Sequence, residues 1–175
     1  PVLVMVSGPA HGQSLDDARA TVMDGLGAIL PDAEKAGITI GIEPLHPMYA
    51  AERSVVVTLK QANDLAEQLN SPAAGVVVDV FHVWWDPEVH AEIKRARGKI
   101  AGFHVSDWPV PLPGILMGRA MMGDGVIEVR RLREAVDATG YDGPIEVEIF
   151  NDAVWGMAEG EVMDLIQQRF LEYVV

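Results

Sequence analysis

The chain has 175 residues, 49% of them hydrophobic and 22% charged, a composition typical of a globular protein rather than a disordered one. Its 26 acidic residues outnumber the 13 basic ones, and because a net charge of -13 repels a phosphate backbone, we expect no nucleic-acid partner. No apolar stretch approaches the length of a membrane span, and the absence of cysteine excludes disulfides and thiolate metal sites, so we predict a cytoplasmic protein that does not enter a membrane.

The first quarter of the chain predicts a strand, a long helix and a second strand. An apolar run predicts the first strand at residues 2–6. Ser14 is a favourable N-cap for the following helix, in which apolar residues recur at helical spacing. Pro31 is expected to kink this helix or split it in two, and Gly37 to end it. The second strand is predicted at residues 38–43.

The rest of the chain continues the alternation of strands and helices. After the second strand, the patterns predict a helix at 54–69, a strand at 75–79, a helix from Asp86-Pro87-Glu88 to about 97, a strand at 100–104, a helix at 128–139, a strand at 145–148 and a last helix at 159–173. The segment 105–126 is rich in proline and glycine. A loop of that length is usually functional, and it is often a lid over a site.

Strands that alternate with helices predict parallel βαβ units with right-handed crossovers. A doubly wound sheet and a (β/α)8 TIM barrel both follow this pattern. The glycine-rich phosphate fingerprint of the doubly wound fold is missing after the first strand, where the chain reads Ser7-Gly8-Pro9-Ala10. We therefore predict an α/β TIM barrel. Five units cannot close eight strands, so residues 1–175 are expected to form a single domain that is the C-terminal portion of a barrel, with three strands preceding Pro1.

Four apolar runs each end at a residue that can bind a metal: Glu43, Asp79, His104 and Glu148. In TIM barrels the C-terminal ends of the strands carry the catalytic groups. Each residue alone has a plausible structural role, but their recurrence at four successive strand ends favours a shared site for one divalent cation. Glu146 lies on the same strand face as Glu148, and Glu148 is preferred because it is nearer the C-terminal end.

The motifs around these residues resemble those of the sugar phosphate isomerase/epimerase family, which are xylose isomerase-like TIM barrels. The matching motifs are Gly-Ile-Glu-Pro-Leu-His-Pro, Asp-Val-Phe-His, Gly-Phe-His-Val-Ser-Asp, Gly-Asp-Gly-Val-Ile and Gly-Tyr-Asp-Gly-Pro-Ile-Glu-Val-Glu-Ile. The resemblance implies metal ligands at Glu43, Asp79, His104 and Glu148, and substrate contacts at His82 and Arg119. We also predict a substrate contact at His46. Carboxylates with one imidazole suit Mn or Mg, with Co or Zn also possible.

In the ketose epimerases of this family, two metal-bound glutamates exchange the substrate proton through a metal-stabilised enediolate. The resemblance implies these roles for Glu43 and Glu148. The predicted function is therefore a divalent-metal-dependent isomerase or epimerase of a sugar or related polyol. We expect a neutral substrate, because no phosphate cradle is visible and basic residues near the motifs are sparse. Tyr49 stands where such epimerases typically carry an acidic substrate-binding residue.

Three other interpretations remain at this point. A dehydratase of the inosose or dehydroshikimate type would use the same four ligands. DNA-repair endonucleases of the same superfamily need further histidines after His104, where this chain has only Met117-Gly118-Arg119. Finally, a partial barrel has open sheet edges, so the chain could be inactive alone or could pair with another copy as a homo-oligomer.

Overall fold

The computed structural model describes residues 1–175 and contains one parallel sheet with five strands, which curls into half of a barrel. The strands lie side by side in chain order, as expected for successive βαβ units: β1 (Val2–Met5), β2 (Thr39–Ile42), β3 (Ala74–Asp79), β4 (Ile100–Val105) and β5 (Ile145–Val147). The predicted partial TIM barrel is confirmed, and each strand lies within two residues of its predicted bounds.

Helices follow the strands and cover one face of the sheet. They are α1 (Leu15–Ala36), α2 (Leu59–Leu69), α3 (Val80–Val83), α4 (Val89–Arg95), α5 (Val129–Asp137), α6 (Asp152–Trp155) and α7 (Glu159–Tyr173), with a 3-10 turn at Pro47–Tyr49. The expectation that Pro31 splits the first helix is wrong, because α1 continues through it. The short helices α3 and α6 were not predicted.

Capping residues determine where α1 begins and ends and where α2 begins. The Ser14 hydroxyl accepts the backbone N–H of Asp17 at the start of α1, and Gly37 ends that helix in the left-handed region at φ 65°. Thr58 caps α2 in the same way, and for this reason α2 begins later than the predicted residue 54. These caps determine where the chain turns back into the next strand.

The concave face of the sheet is packed too tightly for side chains at two glycines. A Cβ at Gly41 of β2 would lie 2.8 Å from Cγ2 of Val77 and 3.6 Å from Cβ of Ala101, two strands away on β4. A Cβ at Gly75 would lie 2.8 Å from that of Ala101. Glycine therefore lets the strands approach closely enough for the sheet to curl.

The register of the strands places the site at one end of the sheet. The pairing of β3 with β4 shifts by one residue between Val76 and Val77, after which Asp79 lies opposite His104. His104 in turn lies opposite Glu146 of β5. Because side chains alternate with a period of two, Glu148 shares the face of Glu146 one step nearer the C-terminal end.

The core lies between the convex face of the sheet and the helices. Val76 and Val78 of β3 belong to the same buried cluster as Leu59 and Ala62 of α2. The edge strand β1 is different, since Leu3 is 59% exposed there and its neighbours are exposed too. This chain therefore presents an uncovered apolar sheet edge. No helix in the structure combines the length and the apolar character needed to cross a membrane.

Candidate metal centre

Four neighbouring strands deliver four potential metal ligands to one point at their C-terminal ends. Glu43 directly follows β2, Asp79 is the last residue of β3, and His104 lies in β4. Glu148 follows β5, with its backbone N–H donating to the Val105 carbonyl at 3.1 Å. One ligand atom from each residue lies within 4.8 Å of the others. The side chains selected from the sequence therefore come together; their role as metal ligands is a proposal.

The cluster contains buried polar atoms that no protein group satisfies. His104 Nδ1 lies 3.3 Å from Glu43 Oε1 and 3.4 Å from Glu148 Oε2, in ion-pair range. Even so, Glu43 Oε1 and both ring nitrogens of His104 are buried without a hydrogen bond of good geometry. Native proteins rarely leave such atoms unpaired. Three carboxylates and one imidazole are the oxygen and nitrogen donors that suit a divalent cation.

Arg119 lies inside this cluster and compensates part of its negative charge. Its Nη1 donates to Asp79 Oδ2 at 2.7 Å and to Glu148 Oε2 at 3.1 Å. The guanidinium also stacks over the Phe81 ring, with Cζ 4.7 Å from the centroid. It reaches the site from the long loop between β4 and α5, as the sequence suggested. Both Asp79 and Arg119 are buried, so each charge compensates the other in a place that water does not reach.

The close packing of charges shifts the pKa values of the clustered side chains. Burial disfavours the charged Asp79, but Arg119 and the nearby histidines outweigh it and lower its pKa to about 2. Burial also opposes protonation of His104, yet Glu148, Glu43 and Asp79 raise its pKa to about 10. Burial raises the pKa of Glu43, assisted by Asp79 and Glu148 and opposed by His104. A proton on His104 thus partly balances the carboxylates when no metal is bound.

His82 lies beside Arg119, with a hydrogen-bond donor near each of its ring nitrogens. Burial lowers the pKa of His82 to about 4, so the ring is neutral near pH 7. The backbone N–H of His46 can only donate, and it reaches His82 Nδ1 at 3.1 Å. His82 Nε2 lies 3.0 Å from Arg119 Nη2, which also can only donate, so both ring nitrogens face a donor although a neutral ring accepts at only one of them. Asp79 Oδ2 lies 3.6 Å from the same Nε2, so the ring also faces the buried carboxylate.

His46 and Tyr49 lie on the segment that follows Glu43. The His46 ring packs against Trp85 and Trp108, and its Nδ1 accepts the Met48 N–H at 3.1 Å. His46 is not among the residues that line the cavity beside the cluster, so its direct contact with substrate remains a prediction. Tyr49 lines that cavity, and its hydroxyl donates to the Ile115 carbonyl. This bond connects the loop to the rim of the site.

Sequence reasoning missed Asp107, which closes the long loop on itself. Its buried carboxylate accepts the backbone N–H groups of Trp108, Gly123, Gly125 and Ile127 at 2.8–3.0 Å. Its backbone also pairs with Ala120 through two hydrogen bonds of 2.9 Å. Asp107 thereby fixes both ends of the segment that carries Arg119. The available signal was an aspartate in Gly-Phe-His-Val-Ser-Asp ahead of the Gly-Asp-Gly motif.

Comparison with known proteins identifies the family. A family model described as xylose isomerase-like TIM barrel matches residues 1–171. The chain belongs to this family. Protein SMc04130 from Sinorhizobium meliloti 1021 has a similar structure, with a TM-score of 0.95 and 44% identity over 99% of this chain and 64% of that chain.

Two curated relatives carry enzyme names. One is L-ribulose-5-phosphate 3-epimerase UlaE from Salmonella typhi, 26% identical over 143 residues, which are 81% of this chain and 47% of the relative. Another is 3-dehydroshikimate dehydratase from Pseudomonas putida, 32% identical over 157 residues, 86% of this chain and 24% of the relative. The chain thus spans less than half the length of either relative.

Proposed function

We propose that the chain contributes the metal site and the proton-transfer residues of an isomerase or epimerase acting on a small sugar or related polyol. One divalent cation, with Mn or Mg favoured, would be held by Glu43, Asp79, His104 and Glu148. The observation that carries this proposal is the convergence of these four side chains within 4.8 Å, with three buried polar atoms left unpaired.

Two glutamates of the cluster are suited to exchange a proton with substrate. When bound, a divalent cation would polarise adjacent carbonyl and hydroxyl oxygens of a ketose and acidify the C–H bond between them. Glu43 and Glu148 come from strands separated by β3 and β4, so they approach the cluster from different directions. In the proposed reaction one carboxylate removes the proton and the other returns it, on the same or the opposite face.

His82 and Arg119 would stabilise the charge that develops on the substrate oxygen. His82 Nε2 and Arg119 Nη2 lie 3.0 Å apart, and in the tautomer that carries the ring proton on Nε2 an anionic oxygen would accept from both. The neutral state of His82 lets it donate without adding charge. The His46 backbone N–H donates to the other ring nitrogen of His82, Nδ1, and holds the ring in position. His46 therefore has an indirect role in this proposal.

The names of the relatives support the reaction class. The epimerase relative is named for a ketose phosphate, and it matches 81% of this chain. The proposal is tested by incubating the Mn²⁺-loaded chain with a panel of ketopentoses, ketohexoses and their phosphate esters in D2O. We expect solvent deuterium at the carbon next to the carbonyl in recovered sugar. No deuterium in any ketose, from protein shown to hold Mn²⁺, would contradict the assignment.

A dehydratase is the second candidate, favoured by the 32% identity to 3-dehydroshikimate dehydratase. The same carboxylates would remove the proton, but a β-hydroxyl would then leave instead of the carbon being reprotonated. The two reactions are distinguished in one assay. Growth of a conjugated-enone absorbance with a keto-cyclitol or 3-dehydroshikimate indicates elimination, whereas deuterated sugar without that absorbance indicates epimerisation.

A further inference from the structure

The cavity beside the cluster is lined by an arginine, Arg53, that the proposed chemistry does not use. This cavity has a volume of about 260 Å³. Glu43, His82, Arg119 and Glu148 line it together with Tyr49 and Arg53, which come from the segment after β2. Arg53 therefore faces the space in which a substrate held at the cluster would extend.

The backbone around Arg53 is held in place. Its N–H donates to the Tyr49 carbonyl at 2.9 Å, closing the turn that follows the 3-10 segment. The next residue, Ser54, is buried, and its hydroxyl contacts Ser7 Oγ and the Val56 carbonyl at 2.9 Å each. The guanidinium lies over the Tyr49 ring, with Cζ 5.7 Å from the centroid. These contacts hold the backbone from which the Arg53 side chain extends.

Arg53 has no partner for its charge, which is unusual in this acidic chain. Seven of the nine arginines make a salt bridge or a hydrogen bond with their side chains: Arg19, Arg95, Arg119, Arg130, Arg131, Arg133 and Arg169. Arg53 and Arg97 make neither. Arg97 lies in the turn between α4 and β4, at the N-terminal end of the strands. Arg53 is therefore the arginine left free to pair with a ligand in the cavity.

The charges around the cavity define what Arg53 can recognise. Asp79 and Glu148 already engage Nη1 of Arg119, and its Nη2 lies beside His82, where the proposed function uses it for the oxygen at the reacting carbon. An anionic substituent on a substrate would be repelled by the carboxylates of the cluster unless a separate cation faced it at a distance. A guanidinium presents paired N–H donors that match the oxygens of a carboxylate or a phosphate. Arg53 supplies this group in the lining of the cavity.

We propose that Arg53 forms an anion subsite, which binds a carboxylate or phosphate group of a hydroxylated substrate whose other end lies at the cluster. The proposal deepens the proposed function and rests on it. It replaces the expectation from sequence that the substrate is neutral. That expectation rested on the sparse basic residues near the motifs. Arg53 is outside those motifs in the sequence, and the turn after Glu43 brings it to the cavity.

The experiment compares binding of three small probes by calorimetric titration: glycerol, glycerate and glycerol 3-phosphate. Each is titrated into the 175-residue chain with Mn²⁺ and without it, since an anion that binds the metal directly would lose affinity in the metal-free arm. The variants are Arg53→Gln, Arg53→Lys and, as a matched control with the same charge change, Arg97→Gln. Thermal unfolding of each variant verifies that it is folded.

We expect at least one anion to bind wild type about ten-fold tighter than glycerol, with and without metal. Arg53→Gln should abolish this preference, Arg53→Lys should retain part of it, and Arg97→Gln should leave it unchanged. The anion that binds more tightly identifies the group as a carboxylate or a phosphate. Equal binding of all three probes, or a preference that survives Arg53→Gln, would overturn the proposal. Because the titration records no proton exchange, its failure is distinct from a failure of deuterium incorporation.

Discussion

Arg119 Nη1 lies 2.7 Å from Asp79 Oδ2 at the centre of the carboxylate cluster, and both side chains are buried. The guanidinium and a metal ion would therefore neutralise the same carboxylates. Removing one partner of a buried pair leaves the other charge uncompensated, which typically costs about 3–5 kcal/mol. A cation bound next to Asp79 would restore much of that compensation.

The variant Arg119→Met tests this relationship. We expect it to lower the free energy of unfolding of the metal-free chain by about 3–5 kcal/mol. Saturating Mn²⁺ should then raise its melting temperature more than it raises that of wild type. Arg131→Met is the control, because its exposed pair with Glu128 contributes about 0–1 kcal/mol. An identical Mn²⁺ effect in Arg119→Met and wild type would contradict a metal site at Asp79.

Metal binding is expected to release a proton from His104. Its pKa of about 10 means that the ring is protonated at pH 8 in the metal-free chain, whereas a metal ligand must be neutral. Raising the pH from 6 to 9 should therefore strengthen Mn²⁺ binding by about ten-fold per unit for one proton displaced. Calorimetry at pH 8 in two buffers of different ionisation enthalpy measures the number of protons released on Mn²⁺ binding. Binding without proton release would show that His104 is not a ligand.

Glu148→Gln is expected to abolish proton exchange while leaving the fold intact. The amide keeps the shape of the carboxylate but cannot take up a proton, and loss of a general base typically costs about 100- to 10,000-fold in rate. Glu146→Gln is the control on the same strand face, since Glu146 is 63% exposed and its carboxylate is 3.9 Å from His104 Nε2. Deuterium exchange at the wild-type rate in Glu148→Gln would disprove the assignment.

Asp107→Asn is expected to loosen the loop that carries Arg119. An amide oxygen can replace only one of the two carboxylate oxygens that accept backbone N–H groups. Each buried N–H that loses its acceptor costs about 1–3 kcal/mol. Urea unfolding should show this loss, and limited proteolysis should cut the loop faster. Asp124→Asn in the same loop removes only an exposed pair with Arg169 and should change little. Equal stability of both variants would be inconsistent with this role of Asp107.

Much of the fold could be predicted because strong local sequence signals mark the ends of its helices. The last helix has the predicted bounds of 159–173, and Gly37 ends α1 as expected from its freedom at positive φ. The expectation that Pro31 could split α1 is wrong, because this 22-residue helix continues through the proline and contacts both β2 and α2. The two unpredicted helices, α3 and α6, have four residues each, too short to show a periodic pattern.

The convergence of the four clustered side chains was predictable, and their surroundings were not. Glu43, Asp79, His104 and Glu148 follow apolar runs, and parallel strands bring such positions together. The sequence has no equivalent signal for Arg53, which sits in a turn ten residues after Glu43 and reaches the cavity through tertiary structure alone. The position of the His82 ring likewise depends on the His46 N–H, a contact between separate segments. Contacts of this kind are determined by packing rather than by local pattern.

The most direct test of the central claim is a crystal structure of the chain grown with Mn²⁺ and measured at a wavelength where manganese scatters anomalously. The proposal predicts one anomalous peak per chain, with ligand atoms of Glu43, Asp79, His104 and Glu148 at about 2.0–2.6 Å from it, the range of oxygen- and nitrogen-ligated divalent cations. An empty cluster in crystals saturated with Mn²⁺, or a peak bound only elsewhere on the chain, would contradict it.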